Sequence, residues 1–247
     1  MYIIGDIGNT EVKICIYSKK YKLINKLTLK TDLINFNYLN KKFFNILKFK
    51  NKINKIIFSS VVPKTYKIIK TFLKKKIKIQ CYELKQLNVK KMINIKVNKK
   101  QIGSDRLSNA IGIIDNKSNY IIVDFGTATT FDVVIKKNYL GGIIAPGVKL
   151  SLETLTSKAS LIPSIKLKSV KNVLGKNTYT AVRSGFYWGY LGLIENIINK
   201  ITKQTKKKYN IVFTGGFSHF FKKGMFYKVS IDRDITIKGL LKVCKLI

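Results

Sequence analysis

Short apolar runs, each closed by a polar turn, dominate the hydrophobic pattern of this chain. The clearest, residues 121–135, places Asp124, Gly126 and three threonines between two β-branched runs, which predicts strand, sharp turn and strand. We expect Gly126 to supply the residue without Cβ that a tight turn needs. Backbone N–H groups and threonine hydroxyls in such a turn can hold phosphate oxygens. A plain β-hairpin with threonine at its tip fits the same residues.

Residues 1–20 repeat this pattern. An apolar strand ends at Asp6, a Gly-Asn-Thr turn follows, and the next strand alternates apolar and polar residues with a period of two. The two aspartates, Asp6 and Asp124, are 118 residues apart in a chain of 247. This half-chain spacing indicates a duplication. We therefore predict two similar halves, residues 1–114 and 115–247, each opening with a strand–turn–strand phosphate loop.

The rest of the chain alternates predicted helices and strands. Helices are predicted at residues 33–48 and 66–73, from residue 148, within 175–198 and at 234–246, and strands at 21–29, 53–62, 77–81 and 211–214. The basic segment 85–100 is expected to be irregular and exposed. Three glycines, Gly185, Gly189 and Gly192, share one face of the long helix, so we expect that face to pack closely against another backbone. The pattern predicts an α/β fold.

The net charge of +36 suggests a nucleic-acid-binding protein. However, 45 of the 48 basic residues are lysines, and arginine, the preferred cation for reading bases, occurs only three times. Lysine, asparagine, isoleucine, phenylalanine and tyrosine all have A/T-rich codons, so genome composition also explains the charge. We expect binding to DNA to be non-specific and salt-sensitive, with no specific nucleic-acid partner.

Other features of the composition exclude several classes of protein. The three cysteines are far apart and form no CxxC pair, which argues against a disulfide scaffold or a zinc site, and His219 is the only histidine. No apolar run approaches the ~18 residues of a membrane span. The N-terminus has no basic leader, so we expect no signal peptide. These features predict a cytoplasmic protein without a membrane partner.

Acidic residues are rare in this basic chain, with twelve against 48 basic ones, so their positions indicate where a carboxylate has a function. Five of them fall in the motif stretches, namely Asp6, Glu11, Asp105, Asp124 and Asp132. Asp105 follows a Gly-Ser loop at a predicted helix start, where it could simply cap the helix. Arg106 lies next to it in the first turn, an unfavourable place for a cation near the positive end of the helix dipole. Arg106 is therefore expected to face an anion.

The ordered set of motifs resembles the type III pantothenate kinases, within the actin and hexokinase-like ATPase superfamily. The matching pieces are DIGNTEVK (residues 6–13), GSDR (103–106), DFGTATTFD (124–132), GGIIAPG (141–147), KNT with the following SG (176–185) and TGG (214–216). The resemblance implies two RNase H-like halves, each a mixed sheet with flanking helices, with ATP between them. It also implies ATP-dependent phosphorylation of the primary hydroxyl of pantothenate, the first step of coenzyme A synthesis.

The same resemblance implies a role for each matching residue. The ATP site would comprise Asp6, Ile7, Gly8, Asn9, Thr10, Glu11, Val12, Lys13 and Thr127. Gly103, Ser104, Asp105 and Arg106 would line the pantothenate site, with Asp105 as the catalytic base and Thr178 contacting pantothenate near a homodimer interface. Asp124 would bind a monovalent cation, potassium or ammonium, and a divalent cation such as magnesium would accompany ATP.

The chain departs from the family pattern in two places. Ser104 stands where the family usually has alanine, and Lys96, Asn98 and Lys99 replace an aromatic residue and an Asn-Pro pair before that loop. Two alternative functions remain on the same scaffold: a nucleic-acid-binding or regulatory protein, and another small-molecule kinase or phosphatase of the superfamily. A nucleic-acid-binding protein would explain the positive charge better than a kinase does, but it would explain the acidic residues within the motifs less well.

Overall fold

The computed structural model describes residues 1–246 and divides into two compact units. The first contains Met1–Ile114 together with the segment that starts at Asp234, and the second is Asp115–Arg233. The predicted boundary between residues 114 and 115 coincides with this division. The predicted C-terminal half ran to residue 247, whereas the structure places the final helix in the first unit.

The elements alternate along the chain much as the sequence pattern predicts. The strands are β1 (Tyr2–Ile7), β2 (Glu11–Tyr17), β3 (Leu23–Lys30), β4 (Lys55–Ser60), β5 (Cys81–Glu83), β6 (Asn94–Ile95), β7 (Asn119–Phe125), β8 (Ala128–Ile135), β9 (Asn138–Pro146), β10 (Asn210–Gly215) and β11 (Val229–Ile231). The α-helices are α1 (Phe36–Leu47), α2 (Pro63–Ile77), α3 (Ser104–Ile113), α4 (Val148–Lys158), α5 (Thr178–Thr205), α6 (Ser218–Lys222) and α7 (Ile235–Leu246). Short 3-10 turns occupy Thr31–Leu33, Lys50–Lys52, Leu84–Gln86 and Lys99–Gln101.

The first unit is built on a mixed five-stranded sheet in the order β3-β2-β1-β4-β5. Strands β1 to β3 form an antiparallel meander, while β4 runs parallel to β1 and β5 parallel to β4. Alternate residues such as Ile3, Ile7 and Phe58 point to one face, where they share a core with Phe43 of α1 and Phe72 of α2. The opposite face of β1 and β4 is contacted by α7, and α3 also contacts β4.

Helix α7 belongs to the first unit because it packs closely on α3. A Cβ at Gly239 would collide with the backbone and hydroxyl of Ser108, and one at Gly112 would collide with the carbonyl of Ile235. The two helices therefore approach at backbone distance, which only glycine permits. The Ser108 hydroxyl also donates a hydrogen bond to the carbonyl of Thr236, at 2.7 Å. These long-range contacts are invisible in the local pattern that placed residues 234–247 in the second half.

The second unit repeats the sheet of the first strand for strand. Its strands run in the order β11-β10-β7-β8-β9, with an antiparallel meander from β7 to β9 and with β10 and β11 parallel to β7. One face, which includes Val123, Phe131 and Phe213, packs in a core with Leu191 and Ile194 of α5. The matching order and strand directions confirm the predicted fold class of two duplicated halves, each a mixed sheet with flanking helices.

One sequence expectation is wrong in detail, and another is not met within the single chain. The segment 85–100 was expected to be exposed, and most of it is exposed or half-buried, but Val89 and Ile93 are buried. The glycine face of α5 was expected to pack on another backbone. Among the described residues, no atom lies within 4 Å of a Cβ built at Gly185, Gly189 or Gly192, so that face is open within the chain.

Within residues 1–246, no helix combines the length and the apolar character that crossing a membrane requires.

Candidate active site

The first predicted phosphate loop joins β1 to β2 through three residues, Gly8 to Thr10. The Gly8 N–H donates to the carbonyl of Glu11 at 2.9 Å, which closes the turn. Thr31 braces it from outside, since its hydroxyl donates to the Gly8 carbonyl at 2.8 Å and its N–H donates to the Thr10 carbonyl at 3.1 Å. Asn9 and Thr10 are exposed. The loop is therefore held in one shape while its tip remains open to a ligand.

Asp6 lies just before this loop, on the face of the sheet opposite the α1–α2 core. Ile7, the next residue, points into that core, so the alternation of the strand turns Asp6 to the face that α7 contacts. Lys13 is directly opposite Asp6 on β2, and Ser59 is its neighbour on β4. Side chains opposite one another on paired strands share a face. A carboxylate, an ammonium group and a hydroxyl thus surround the base of the loop.

The Gly103–Arg106 stretch begins helix α3, and the structure corrects the capping interpretation of Asp105. The N-cap residue is Gly103, whose carbonyl accepts from the Leu107 N–H at 3.0 Å, and Asp105 is the second residue inside the helix. A Cβ at Gly103 would collide with the Asp105 carboxylate, so glycine makes room for that carboxylate. Asp105 Oδ1 accepts from the N–H of Arg106 at 2.8 Å.

The Asp105 carboxyl group is largely withdrawn from solvent. This burial raises its pKa above the ordinary value for aspartate, although the backbone N–H and the guanidinium of Arg106 oppose the rise. A carboxylate with a raised pKa binds a proton more tightly than an exposed one. Asp105 is therefore better suited than an exposed carboxylate to accept a proton near neutral pH.

Ser104, the residue before Asp105, has a partner that the sequence did not indicate. The Ser104 side chain is buried, and its hydroxyl donates a hydrogen bond to the carboxylate of Glu83. Glu83 ends β5 and lies 21 residues earlier in the chain. Its other carboxylate oxygen accepts from the N–H of Lys85 at 2.7 Å. The only available signal was the rarity of acids, because Glu83 is one of twelve.

The second phosphate loop, between β7 and β8, is the two-residue turn Gly126–Thr127. The Gly126 N–H donates to the Ala128 carbonyl at 3.0 Å. A Cβ at Gly126 would make only an ordinary 3.6 Å contact, and its φ is not positive, so the expectation that the turn requires glycine there is wrong. The steric requirement lies at Gly147 instead, where a Cβ would collide with the Thr127 carbonyl. The start of α4 therefore supports the loop directly.

Asp124 lies next to the Thr-Gly-Gly motif at the end of β10. Thr214 is its neighbour in the strand register. Gly215 has a φ of +82°, and a Cβ there would lie 2.7 Å from Asp124 Oδ1 and 2.5 Å from the Phe125 carbonyl oxygen. The Gly216 N–H donates to the same carbonyl at 3.0 Å. Two motifs about 90 residues apart in the chain thus form one structure.

Two further site candidates differ in their surroundings. Asp132 is fully buried within β8 and accepts a hydrogen bond from the hydroxyl of Tyr139 at 2.6 Å, which gives it a structural role in the second unit. Thr178 is exposed at the first turn of α5, where Asn177 caps the helix by accepting from the Thr180 N–H at 2.9 Å. Sequence reasoning missed Tyr139, because a lone tyrosine on a strand gives no signal.

The candidate site residues therefore fall into two groups. The first unit holds the loop from Asp6 to Lys13 and the helix start from Gly103 to Arg106, and the second unit holds Asp124, Thr127 and Thr178. Among the described residues there is no cluster of three or more His, Cys, Asp or Glu side chains able to hold a metal ion. A divalent cation would need ligands besides protein carboxylates, as magnesium does when it binds through phosphates and water.

Comparisons with known proteins agree with this arrangement. Residues 2–200 match the family model described as type III pantothenate kinase. A type III pantothenate kinase of Pelagibacter ubique is 59% identical over 248 residues, with 100% of both chains covered. Another, from a Sulfurihydrogenibium species, is 36% identical over 251 residues, covering 97% of this chain and 98% of the relative.

Solved structures share the fold at low sequence identity. A protein described as a Baf family transcriptional activator from Campylobacter jejuni superposes with a TM-score of 0.60 at 21% identity, covering 99% of this chain and 98% of the other. A 2-dehydro-3-deoxygalactonokinase protein from Sinorhizobium meliloti gives a TM-score of 0.64 at 7% identity, covering 100% and 99%. At these identities the similarity concerns the fold alone.

The contact between Gly215 and Asp124 predicts an effect of Gly215→Ala on stability. The added Cβ meets both Asp124 and the Phe125 carbonyl at a positive φ, so we expect the free energy of unfolding to fall by about 1–3 kcal/mol. Gly216→Ala is the matched control, because the nearest contact of its Cβ would be at 4.0 Å. Urea denaturation of both variants measures the difference. Equal stability of the two would contradict the described packing.

Proposed function

Because this chain belongs to the type III pantothenate kinase family, it is an enzyme that phosphorylates pantothenate with ATP, and we propose that Asp105 is the base of that reaction. The observation that supports this role is the setting of Asp105 in the first turn of α3. Its carboxylate is withdrawn from solvent, does not cap the helix and lies next to Arg106. No other motif acid combines these features in the described structure.

The proposed reaction needs little covalent chemistry from the protein. The primary hydroxyl oxygen of pantothenate attacks the γ-phosphorus of ATP, the bond from that phosphorus to the bridging oxygen breaks, and ADP leaves. The hydroxyl proton passes to the Asp105 carboxylate. Phosphoryl transfer is accelerated mainly by positioning and by stabilising charge on the phosphoryl oxygens. A base of raised pKa completes the step by taking the proton as the new O–P bond forms.

We assign ATP binding to the first loop, from Asp6 to Lys13, with Thr127 contributing from the second. The brace from Thr31 fixes the first loop without covering its exposed tip. Lys13 carries a positive charge suited to phosphate oxygens, and the Asp6 carboxylate beside it suits the divalent cation that accompanies ATP. Gly147 supports Thr127 from behind.

The pantothenate site is proposed to comprise Gly103, Ser104, Asp105 and Arg106. Pantothenate carries a carboxylate, and the guanidinium of Arg106 can bind a carboxylate through paired hydrogen bonds. The start of a helix also favours an anion. The buried Ser104 side chain is turned to Glu83, so this serine supports the site from behind the helix.

Asp124 is proposed to hold a monovalent cation, potassium or ammonium. The residues present fit such an ion, because the Asp124 carboxylate and the Phe125 carbonyl lie together beside Gly215, and both are oxygen ligands of the kind alkali cations prefer. Bound there, the cation would supply positive charge next to the second phosphate loop. Glycine at position 215 places no side chain against these two oxygens, whereas a Cβ there would collide with both.

We propose a homodimer with Thr178 near its interface. The support is the exposed face of α5, where Gly185, Gly189 and Gly192 leave room for a second backbone and Trp188 is 37% exposed. We also propose a cytoplasmic location, supported by three cysteines that are all free and buried.

Asp105→Asn is expected to reduce turnover by roughly 10²–10⁴-fold, the usual contribution of a positioned general base. The amide oxygen can still accept from the Arg106 N–H, so ATP binding and melting temperature should barely change. A coupled assay of ADP release with pantothenate, together with thermal melting, measures both. Glu153→Gln is the control, because the Glu153 side chain is 63% exposed. Near-full turnover by Asp105→Asn would contradict its role as the base.

Replacement of potassium by sodium is expected to lower turnover of the unmodified enzyme. Sodium is smaller than potassium and should fit the oxygen ligands around Asp124 less well. Asp124→Ala removes the carboxylate, so the difference between the chloride salts of the two cations should disappear, whereas Glu153→Gln should retain it. The assay compares turnover at equal ionic strength. Equal turnover of the unmodified enzyme in both salts would contradict this assignment.

Sedimentation equilibrium at micromolar concentration is expected to give the mass of two chains. Gly189→Lys introduces a long charged side chain into the exposed glycine face, so this variant should sediment as a single chain. Gln80→Lys, at an exposed position of the first unit, is the control and should remain dimeric. A single-chain mass for the unmodified protein would refute the dimer.

A further inference from the structure

We infer that Glu83 is a positioning residue for the phosphoryl transfer, acting on Asp105 through the hydrogen bond that it accepts from Ser104. This inference rests on the proposed role of Asp105 as the base. Glu83 lies on β5 and is outside every motif of the sequence, yet the structure connects it to the residue immediately before Asp105.

The hydrogen bond from Ser104 to Glu83 joins a buried hydroxyl to a carboxylate. Ser104 is the first residue of α3 and only 1% exposed, so its hydroxyl cannot form hydrogen bonds with bulk water. A buried hydroxyl requires a partner, and hydrogen bonds to a carboxylate are stronger than those between neutral groups. Glu83 accepts at both oxygens, from the Ser104 hydroxyl and from the Lys85 N–H. The carboxylate therefore links the end of the strand to the start of the helix.

The connection matters because helix ends fray readily. The first residues of a helix lack backbone acceptors for their N–H groups, and the N-cap here is Gly103, which has no side chain to satisfy them. Within the helix, the Gly103 carbonyl accepts from the Leu107 N–H and Asp105 Oδ1 accepts from the Arg106 N–H, whereas the Ser104–Glu83 hydrogen bond ties this turn to β5. Glu83 therefore restrains the first turn of α3 from the sheet, through the Ser104 side chain and not through a backbone N–H of the helix.

The helix contains a similar hydrogen bond that serves as a control. Ser108, one turn further along α3, is also fully buried, and its hydroxyl donates to the Thr236 carbonyl of α7 at 2.7 Å. Ser104→Ala and Ser108→Ala each remove one buried serine hydroxyl from the same helix. They differ in whether the lost bond holds the turn that contains Asp105.

The experiment measures kcat, KM for ATP and melting temperature for these variants, for Glu83→Ala and for Glu83→Gln. Relatives with alanine at position 104 lack the hydroxyl that Glu83 accepts from, so the restraint is a feature of this chain's own helix start. We expect Ser104→Ala and Glu83→Ala to lower kcat about tenfold or more, since small displacements of a reacting group have effects of this size. KM for ATP should stay within twofold. The double variant should be no worse than the worse single one, because both remove the same interaction. Ser108→Ala should lower the melting temperature and leave kcat within twofold.

Glu83→Gln separates positioning from a purely structural role. The glutamine oxygen can still accept from Ser104, while the amide nitrogen cannot accept from Lys85. We therefore expect kcat near that of the unmodified enzyme, with some loss of melting temperature. A Glu83→Gln variant as slow as Glu83→Ala would overturn the inference. If Glu83→Ala does not fold, Ser104→Ala, the smaller change, decides alone.

Failure of the inference is distinguishable from failure of its premise. Absence of turnover in the unmodified protein would overturn the function as well as the inference. Near-full turnover by Asp105→Asn would overturn the base, and with it any positioning of that base. A slow Asp105→Asn variant combined with full kcat for Ser104→Ala would overturn the positioning role alone.

Discussion

Each half of this enzyme depends on one pair of parallel strands. The pairing of β1 with β4 places Asp6 beside Ser59, and that of β7 with β10 places Asp124 beside Thr214. A parallel pair cannot be joined by a tight turn, so the chain must cross over before it returns. The aspartate at the end of each first strand consequently meets a polar segment from far along the chain. Polar residues from distant parts of the chain therefore meet where these two strands end.

The same topology is used with different local chemistry in the two halves. The first loop has three residues and is braced by Thr31, whereas the second has two and is supported from behind by Gly147. In the second half, the Thr-Gly-Gly motif at the end of β10 contacts the backbone of the strand that carries Asp124, where the Gly216 N–H donates to the Phe125 carbonyl. The two halves therefore share a common frame and differ in the residues that support their loops.

Sequence reasoning succeeded where the determinants are local. The first hairpin was predicted from period-two alternation and the second from two β-branched runs, each with an Asp-x-Gly turn, and the resemblance of the ordered motifs gave the family. Prediction from the sequence failed where the contacts join residues far apart in the chain. Nothing in the sequence near Gly126 shows that its φ is ordinary, or that Gly215 carries the positive φ instead. The Ser104–Glu83 hydrogen bond spans 21 residues and follows from strand order rather than from any motif.

Because the closing helix belongs to the first unit, the second unit is an insertion within it. A ribosome releases the strands of the first sheet early, but the helix that contacts β1 and β4 is made only after the second unit. The second unit, complete by Arg233, can thus finish folding while the first still exposes an apolar surface. The first unit therefore leaves the ribosome first but completes its fold after the second unit. Deletion of α7 would therefore damage the unit that carries Asp6 and Asp105, although both residues are far from α7 in the sequence.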